Sequence, residues 1–334
     1  MSYDQKNFIN GISRKLVNGE FYYYYIDSKK PVSKKDMERI RQLKIPPAWT
    51  DLWVSRDPNS AIQAIGKDMK GKKQYRYHTT HIKNAEKEKF LRLQKFIKSM
   101  PKLNRVIGIH SKLFIYERSK VISLMLQLVS EYHMRVGKEV YAKENKSYGI
   151  SSLRKKHVKT EGQKIILKFR GKSKQKLRYT ITDPEYINSI NMLLKLDGDN
   201  LFQYVMKDEY GKDKIYKITD RDLNKYIQSY MGEEFTIKDF RTYGANLYFM
   251  KSILSETKKR TPKNKKVIKK NLINAIKSTA KQLKHTKAVS KKSYIMNFAI
   301  EMYQEDPQFF VDNKNTDPVD FLNLILKMYI STIS

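Results

Sequence analysis

The sequence predicts an α+β chain: a small β-rich N-terminal domain, residues 1–82, followed by a mainly α-helical domain, residues 83–334, with a three-stranded sheet inserted. Three observations carry this. The first eighty or so residues hold short aromatic and β-branched runs separated by Pro46, Pro47, Pro58, Gly66 and Gly71, the punctuation of strands and turns. From Leu91, Phe96 and Ile97 onward apolar residues recur at helical spacing. Between 158 and 181 the period drops to two, with turn residues at Glu161-Gly162 and Gly171-Lys172-Ser173, and helical spacing then returns.

Taken in order, strands are expected at 21–26, 52–54, 61–65 and 74–77, and a domain boundary near 81–84. Pro101 should close the helix that Leu91 begins, since proline lacks the N–H a helix interior needs. Val121, Leu124, Met125 and Leu128 mark a strongly apolar helix. Beyond the small sheet, helices are expected at 220–231, 237–254, 268–283, 290–303 and 318–329. Thr236 with Asp239 three residues on is a capping-box pattern, so the helix carrying Arg241 has a defined start.

The chain has 334 residues, with 68 Lys+Arg against 34 Asp+Glu, a formal charge of +34, and no cysteine. Without cysteine there is no disulfide scaffold, thiolate nucleophile or thiolate metal site. The first ten residues show no cationic segment followed by an apolar run, and no stretch approaches the ~18 apolar residues of a membrane span. A soluble, intracellular protein without membrane association is expected, in the virion or host cell if viral and in the cytoplasm if bacterial. So large a positive surplus calls for an anionic partner, and nucleic acid fits best. The charge is also concentrated. Residues 251–292 hold 15 Lys/Arg and one acidic residue, and residues 151–178 hold 11 and one. Both runs contain apolar residues such as Ile165, Phe169, Leu272 and Ile276, so they read as folded faces.

Several chemistries drop out. Gly66 with Gly71-Lys72 makes GxxxxGK, but Lys73 follows where a P-loop needs Ser or Thr; at Gly171-Lys172-Ser173 the upstream position is Ile166. His78 and His81 lack further ligands, so neither a metal nor a small-molecule cofactor is expected. No Asp pair suggests a two-metal nuclease. Phosphoryl transfer without a metal requires a nucleophile, cations around the pentacoordinate phosphate and a proton for the leaving oxygen. Arginine suits the clamp because its guanidinium is planar, permanently charged and bidentate on phosphate.

Four segments supply such a set: RVGKEVYAKENKSYGISSLRKKHV (135–158), FRGKSKQ (169–175), KDFRTYGA (238–245) and KHTKAVSKKSYI (284–295). Together they resemble the type IB DNA topoisomerases, specifically the compact kind of poxviruses, other large DNA viruses and some bacteria. KIPPAWTDLWVS (44–55) and GKKQYRYH (71–78) look like that family's N-terminal domain, so the resemblance spans almost the whole chain. It implies the catalytic fold shared by these enzymes and the tyrosine recombinases.

The resemblance implies roles as follows. Tyr294, placed just inside a helix after a basic loop, matches the nucleophile that forms a 3′-phosphotyrosyl link. Arg135 and Arg241 match the two phosphate-clamping arginines, and His285, nine residues before Tyr294, the histidine that donates to a nonbridging oxygen. Lys172 matches the general acid for the leaving oxygen. A lysine crowded by arginines gives up its proton more readily, since like charge favours the neutral amine. Gln74, Tyr75 and Tyr77 match residues of the N-terminal domain that touch DNA. Gly137, Lys138 and Tyr141 follow Arg135 as in the DNA-facing helix, and Lys238 matches a supporting lysine. A helix beginning at Arg135 would put Arg135, Lys138 and Tyr141 on roughly one face.

The implied activity is transient cleavage of one strand of double-stranded DNA, strand rotation and religation by a monomer, with neither ATP nor metal. Two alternatives stand beside it. A tyrosine recombinase would share fold and chemistry, but those enzymes usually carry His three residues before the second arginine, where this chain has Lys238. A catalytically dead DNA-packaging protein would bind DNA and not cut it.

Overall fold

The computed structural model describes residues 10–333. The chain divides into two compact units, residues 1–89 and 90–334; residues 1–9 of the expected N-terminal domain lie outside the described part.

In the first unit, β1 (Gly11–Val17) and β2 (Glu20–Tyr25) form a hairpin, followed by α1 (Lys34–Gln42), β3 (Thr50–Ser55), β4 (Ile62–Lys67) and β5 (Lys73–Tyr77). The five strands make one antiparallel sheet of order β2-β1-β3-β4-β5. The expected strands correspond to β2 through β5; β1 and α1 are additions. β1 places Ser13, Arg14 and Lys15 among few apolar residues, which masks its alternation, although Ile12 is fully buried with Val54, Ala64 and Ile40. Its hairpin turns at Asn18-Gly19, with φ of 50° and 83°, the left-handed pair that matches strand twist. Ser33 starts α1 by accepting the Asp36 N–H at 3.1 Å. Arg14 Nη2 donates to the carbonyls of Pro46, Pro47 and Trp49 at 2.8, 2.9 and 2.8 Å, which fixes the IPPAW loop.

The remaining elements are α2 (Thr79–His110), α3 (Arg118–Tyr132), α4 (Glu139–Asn145), β6 (Val158–Thr160), β7 (Ile165–Arg170), β8 (Lys176–Ile181) and α5 (Pro184–Leu194). A hairpin of β9 (Gln203–Lys207) and β10 (Asp213–Lys217) then precedes α6 (Asp220–Met231), α7 (Ile237–Lys259), α8 (Lys265–Gln282), α9 (Lys287–Ser293), α10 (Asn297–Glu305), α11 (Pro307–Asp312) and α12 (Pro318–Ser331). The inserted sheet is present as β6-β7-β8, antiparallel throughout.

Two apolar cores organise the second unit. One joins α3, the small sheet, α5 and α6; the other joins α8, α10 and α12. α7 serves both, with Ile237 and Phe240 in the first and Phe249, Met250, Ile253 and Leu254 in the second. Its first turns, which carry Arg241, are thereby held between the cores.

Three expectations need correction. Pro101 does not close a helix: α2 runs through it to His110. Pro101 lies on the exposed side, while Met100, Leu103 and Ile107 continue the buried stripe. An interior proline costs about 3 kcal/mol, and burying two or three such side chains at about 1.5–3 kcal/mol each exceeds it. The helix expected over 290–303 is two, α9 and α10, with a break at Tyr294. The segment from Arg135 to Lys138 is irregular, and α4 begins only at Glu139. His133 and Gly137, at φ of 50° and 78°, divert the chain there.

Candidate active site

Arg241 is the centre of the constellation. Asp239 accepts from the Thr236 N–H and Oγ1 at 2.9 and 3.0 Å, so α7 starts where the capping pattern puts it. Asp239 also pairs with Arg92 Nε at 3.0 Å, which leaves Arg241 free for other partners. Arg241 is only 5% exposed. Nη1 donates to the His133 carbonyl, and Nη2 donates to the Leu283 carbonyl at 2.9 Å and contacts His285 Nε2. Burial first, and then the nearby Arg135 charge, lower its pKa to about 10, opposed by the hydroxyls of Tyr294 and Tyr179. It stays a cation at neutral pH.

His285 follows α8 in the loop before α9. Its ring stacks on Tyr294 with centroids 4.7 Å apart and planes at 28°, and Nδ1 lies 3.5 Å from Ser290 Oγ. Burial pushes its pKa down to about 3, assisted by Arg241, Arg135 and Lys172 in that order. The ring is therefore neutral, and Nε2 accepts from Arg241.

Tyr294 is the C-terminal residue closing α9, and not inside a helix as expected. The Ser290 carbonyl accepts from both Tyr294 N–H (3.2 Å) and Ile295 N–H (3.0 Å), which ends the turn. Asn246 of α7 fixes the break: its Nδ2 donates to the Tyr294 carbonyl at 3.0 Å, and its Oδ1 accepts from the Met296 N–H at 2.9 Å. The Arg241 guanidinium carbon stands 6.0 Å from the Tyr294 ring centre.

Arg135 sits in the loop between α3 and α4. Its carbonyl accepts from the Ile150 N–H at 2.8 Å, and Ser151 Oγ donates to the Val136 and Gly137 carbonyls at 2.9 Å each. Two glycines make this crossing possible. A Cβ on Gly137 would come within 2.6 Å of Gly149 N, and one on Gly149 within 2.4 Å of the Arg135 carbonyl. The same strap reaches the small sheet, since Tyr148 N–H donates to the Arg170 carbonyl at 2.7 Å. Lys172 stands exposed just beyond, in the tight β7–β8 turn. One strap thus sets Arg135 and the Lys172 turn relative to each other.

Of the twelve residues singled out from sequence, Arg241, His285 and Tyr294 are in contact, and the charges of Arg135 and Lys172 are near enough to act on His285. Lys138 caps α4, Tyr141 is exposed upon it, and Lys238 is exposed in the first turn of α7. Gln74, Tyr75 and Tyr77 lie on β5 of the other unit, where the two tyrosine rings stack at 5.9 Å and Gln74 donates to Asp68 at 2.8 Å. In this structure Gly137 serves the backbone crossing.

Sequence reading missed four residues. Asn246, which fixes the backbone at Tyr294, and Ser290, which faces His285, are both fully buried. His133 holds Arg241 through its carbonyl, and Tyr179, buried on β8, carries Lys284 Nζ 4.7 Å above its ring. A polar residue inside the apolar face of a helix was the available signal for Asn246; nothing marked the others.

Comparison with known proteins gives a consistent picture. Residues 65–314 match the family model described as eukaryotic DNA topoisomerase I, catalytic core, and residues 20–68 that of bacterial DNA topoisomerase IB, N-terminal domain. The chain is 62% identical over 329 residues to DNA topoisomerase 1B of Acanthamoeba polyphaga mimivirus, with 98% of each chain covered. It is 25% identical over 307 residues to DNA topoisomerase 1 of Rabbit fibroma virus, covering 90% of this chain and 92% of the relative. To DNA topoisomerase 1B of Vaccinia virus (strain Copenhagen) it is 25% identical over 293 residues, covering 86% and 88%.

Proposed function

The chain belongs to the type IB DNA topoisomerases, and from that premise we propose that Tyr294, Arg135, Arg241, His285 and Lys172 carry out its strand transfer. The observation that supports these roles is their convergence: three cations, a neutral histidine and a tyrosine, drawn from four separate segments.

In the forward step the Tyr294 oxygen bonds to phosphorus while the bond from phosphorus to the 5′ oxygen of the next nucleotide breaks. That electron pair leaves on the 5′ oxygen, which takes a proton from Lys172, while the tyrosine proton passes to solvent water and Lys172 regains its own from solvent. Arg135 and Arg241 hold the nonbridging oxygens, whose charge rises in the transition state; each such donor is typically worth ~3–4 kcal/mol. His285 adds a neutral donor. Religation is the same path reversed, with the 5′ hydroxyl as nucleophile and Tyr294 as leaving group. The phosphotyrosyl diester retains the energy of the broken bond, so the cycle needs no ATP, and the side-chain cations take the place of a metal.

Gln74, Tyr75, Tyr77, Lys138, Tyr141 and Lys238 are read as contacts to double-stranded DNA, with one monomer as the active species. The test is plasmid relaxation in EDTA without ATP, at a rate linear in protein concentration. Tyr294→Phe should abolish relaxation and the covalent adduct while retaining DNA binding. An active Phe variant would overturn the nucleophile assignment, and a requirement for paired sites and four protomers would identify a recombinase.

A further inference from the structure

α8 carries Lys265, Lys266, Lys269, Lys270, Lys277 and Lys281 and no acidic residue. All six lysines are exposed. At 3.6 residues per turn, Lys266, Lys270, Lys277 and Lys281 fall within an arc of about 60°. The opposite side of the helix carries the buried Leu272, Ala275 and Thr279. Ile273, 46% exposed, lies just outside the lysine arc, about 20° from its edge.

This face differs from an ordinary solvated one. Lys266 with Lys270, and Lys277 with Lys281, are like-charge pairs at i,i+4, a spacing that destabilises a helix. Among the described residues none of the six has an ion-pair partner, whereas Arg260 at the end of α7 pairs with Glu256. A solvated helix gains from acids at such positions, and α8 has none. Its direction also matters. The C-terminal end leads through Leu283, whose carbonyl holds Arg241 at 2.9 Å, into His285. The row therefore begins beside the reacting phosphate and runs outward. Lys266 to Lys281 spans roughly 22 Å at 1.5 Å per residue, the length of about six base pairs at 3.4 Å each.

We propose that the outer face of α8 is a phosphate-binding rail for one arm of the duplex being cleaved, holding its backbone for about six base pairs outward from the active site. The inference rests on the site proposed above for where the rail begins, and its binding readouts are separate from the loss of cleavage that tests that site.

The test uses the full chain with Lys266, Lys270, Lys277 and Lys281 all changed to Gln, which keeps helix propensity, and a second variant with all four changed to Arg. Binding is followed by anisotropy on a labelled duplex carrying a mapped cleavage site, with each arm trimmed in turn and salt varied. The Gln variant should show a log K against log salt slope shallower by about 3–4, at ~0.9 per phosphate contact. It should also be indifferent to trimming the one arm whose loss weakens the unmodified protein. The Arg variant should restore both properties, and the cleavage rate at saturating DNA should be unchanged in all three. An unchanged slope, or a shallower slope with unchanged arm dependence, as a second bound duplex would give, overturns the proposal. So does a cleavage rate lowered equally in the Gln and Arg variants.

Discussion

Asn246 grips the backbone immediately after the Tyr294 side chain, donating to the Tyr294 carbonyl at 3.0 Å and accepting from the Met296 N–H at 2.9 Å. Both groups are interior, so removing the amide leaves a donor and an acceptor unpaired, at about 1–3 kcal/mol each. Asn246→Ala should lower single-turnover cleavage by about 10- to 100-fold, the scale of a misplaced reacting group. DNA affinity, measured separately, should stay within twofold. Equal losses in binding and cleavage would mean general unfolding.

Arg241→Lys should be nearly as damaging as Arg241→Ala. An ammonium cannot reach the His133 and Leu283 carbonyls and still present two parallel donors to a phosphate. A loss of about 10²–10³ in cleavage rate is expected, read by trapping the covalent adduct at early times.

Stability should fall on mild acidification. Burial, then the Arg241 charge, hold His133 at a pKa of about 4, against 6.5 for an ordinary histidine. Below pH 6.5 the unfolded chain takes up a proton that the folded one refuses until about pH 4. The contribution of this group is therefore full above 6.5 and is lost as pH falls through that window. For this buried ring it amounts to roughly 3 kcal/mol. His157, also at about 4, and His285, at about 3, act with the same sign. His133→Phe should flatten the melting temperature between pH 6.5 and 4, and an unaltered profile would refute the assignment.

Lys172→Ala should be rescued by chemistry. If Lys172 protonates the leaving 5′ oxygen, a substrate with sulfur at that atom departs without a proton. The variant should be slowed at least 10²-fold on the ordinary duplex and match the unmodified protein on the sulfur substrate.

Gly149→Ala should disable the Arg135 loop, because its Cβ would stand 2.4 Å from the Arg135 carbonyl and 2.5 Å from Gly137 N. Both obstacles are backbone and cannot swing aside. Cleavage should collapse while the melting transition stays cooperative.

The candidate site was legible through the family resemblance that its motifs carry, and not through spacing alone. Arg241 sits behind a capping pattern, Lys172 in a turn flagged by glycine, and Tyr294 nine residues after His285. Hidden from such reading were interactions between distant segments. The break at Tyr294 depends on Asn246, 48 residues away, so local periodicity ran the helix straight through. Arg135 lies in a crossing strap that only the paired Gly137 and Gly149 permit, and helical spacing alone placed it on a helix. Continuation of α2 past Pro101 was decided by burial of Leu103 and Ile107, a tertiary gain that local propensity does not register.

The contact between Arg241 Nη2 and His285 Nε2 bears on the resting enzyme. A neutral imidazole that accepts at Nε2 keeps its proton at Nδ1, toward Ser290, and cannot simultaneously offer that face to a phosphate. If His285 donates to the phosphate as proposed, DNA binding separates the pair and either moves the imidazole proton across the ring or brings in another. Engagement then becomes a proton-linked event, because Arg241 and the phosphate compete for the same imidazole nitrogen.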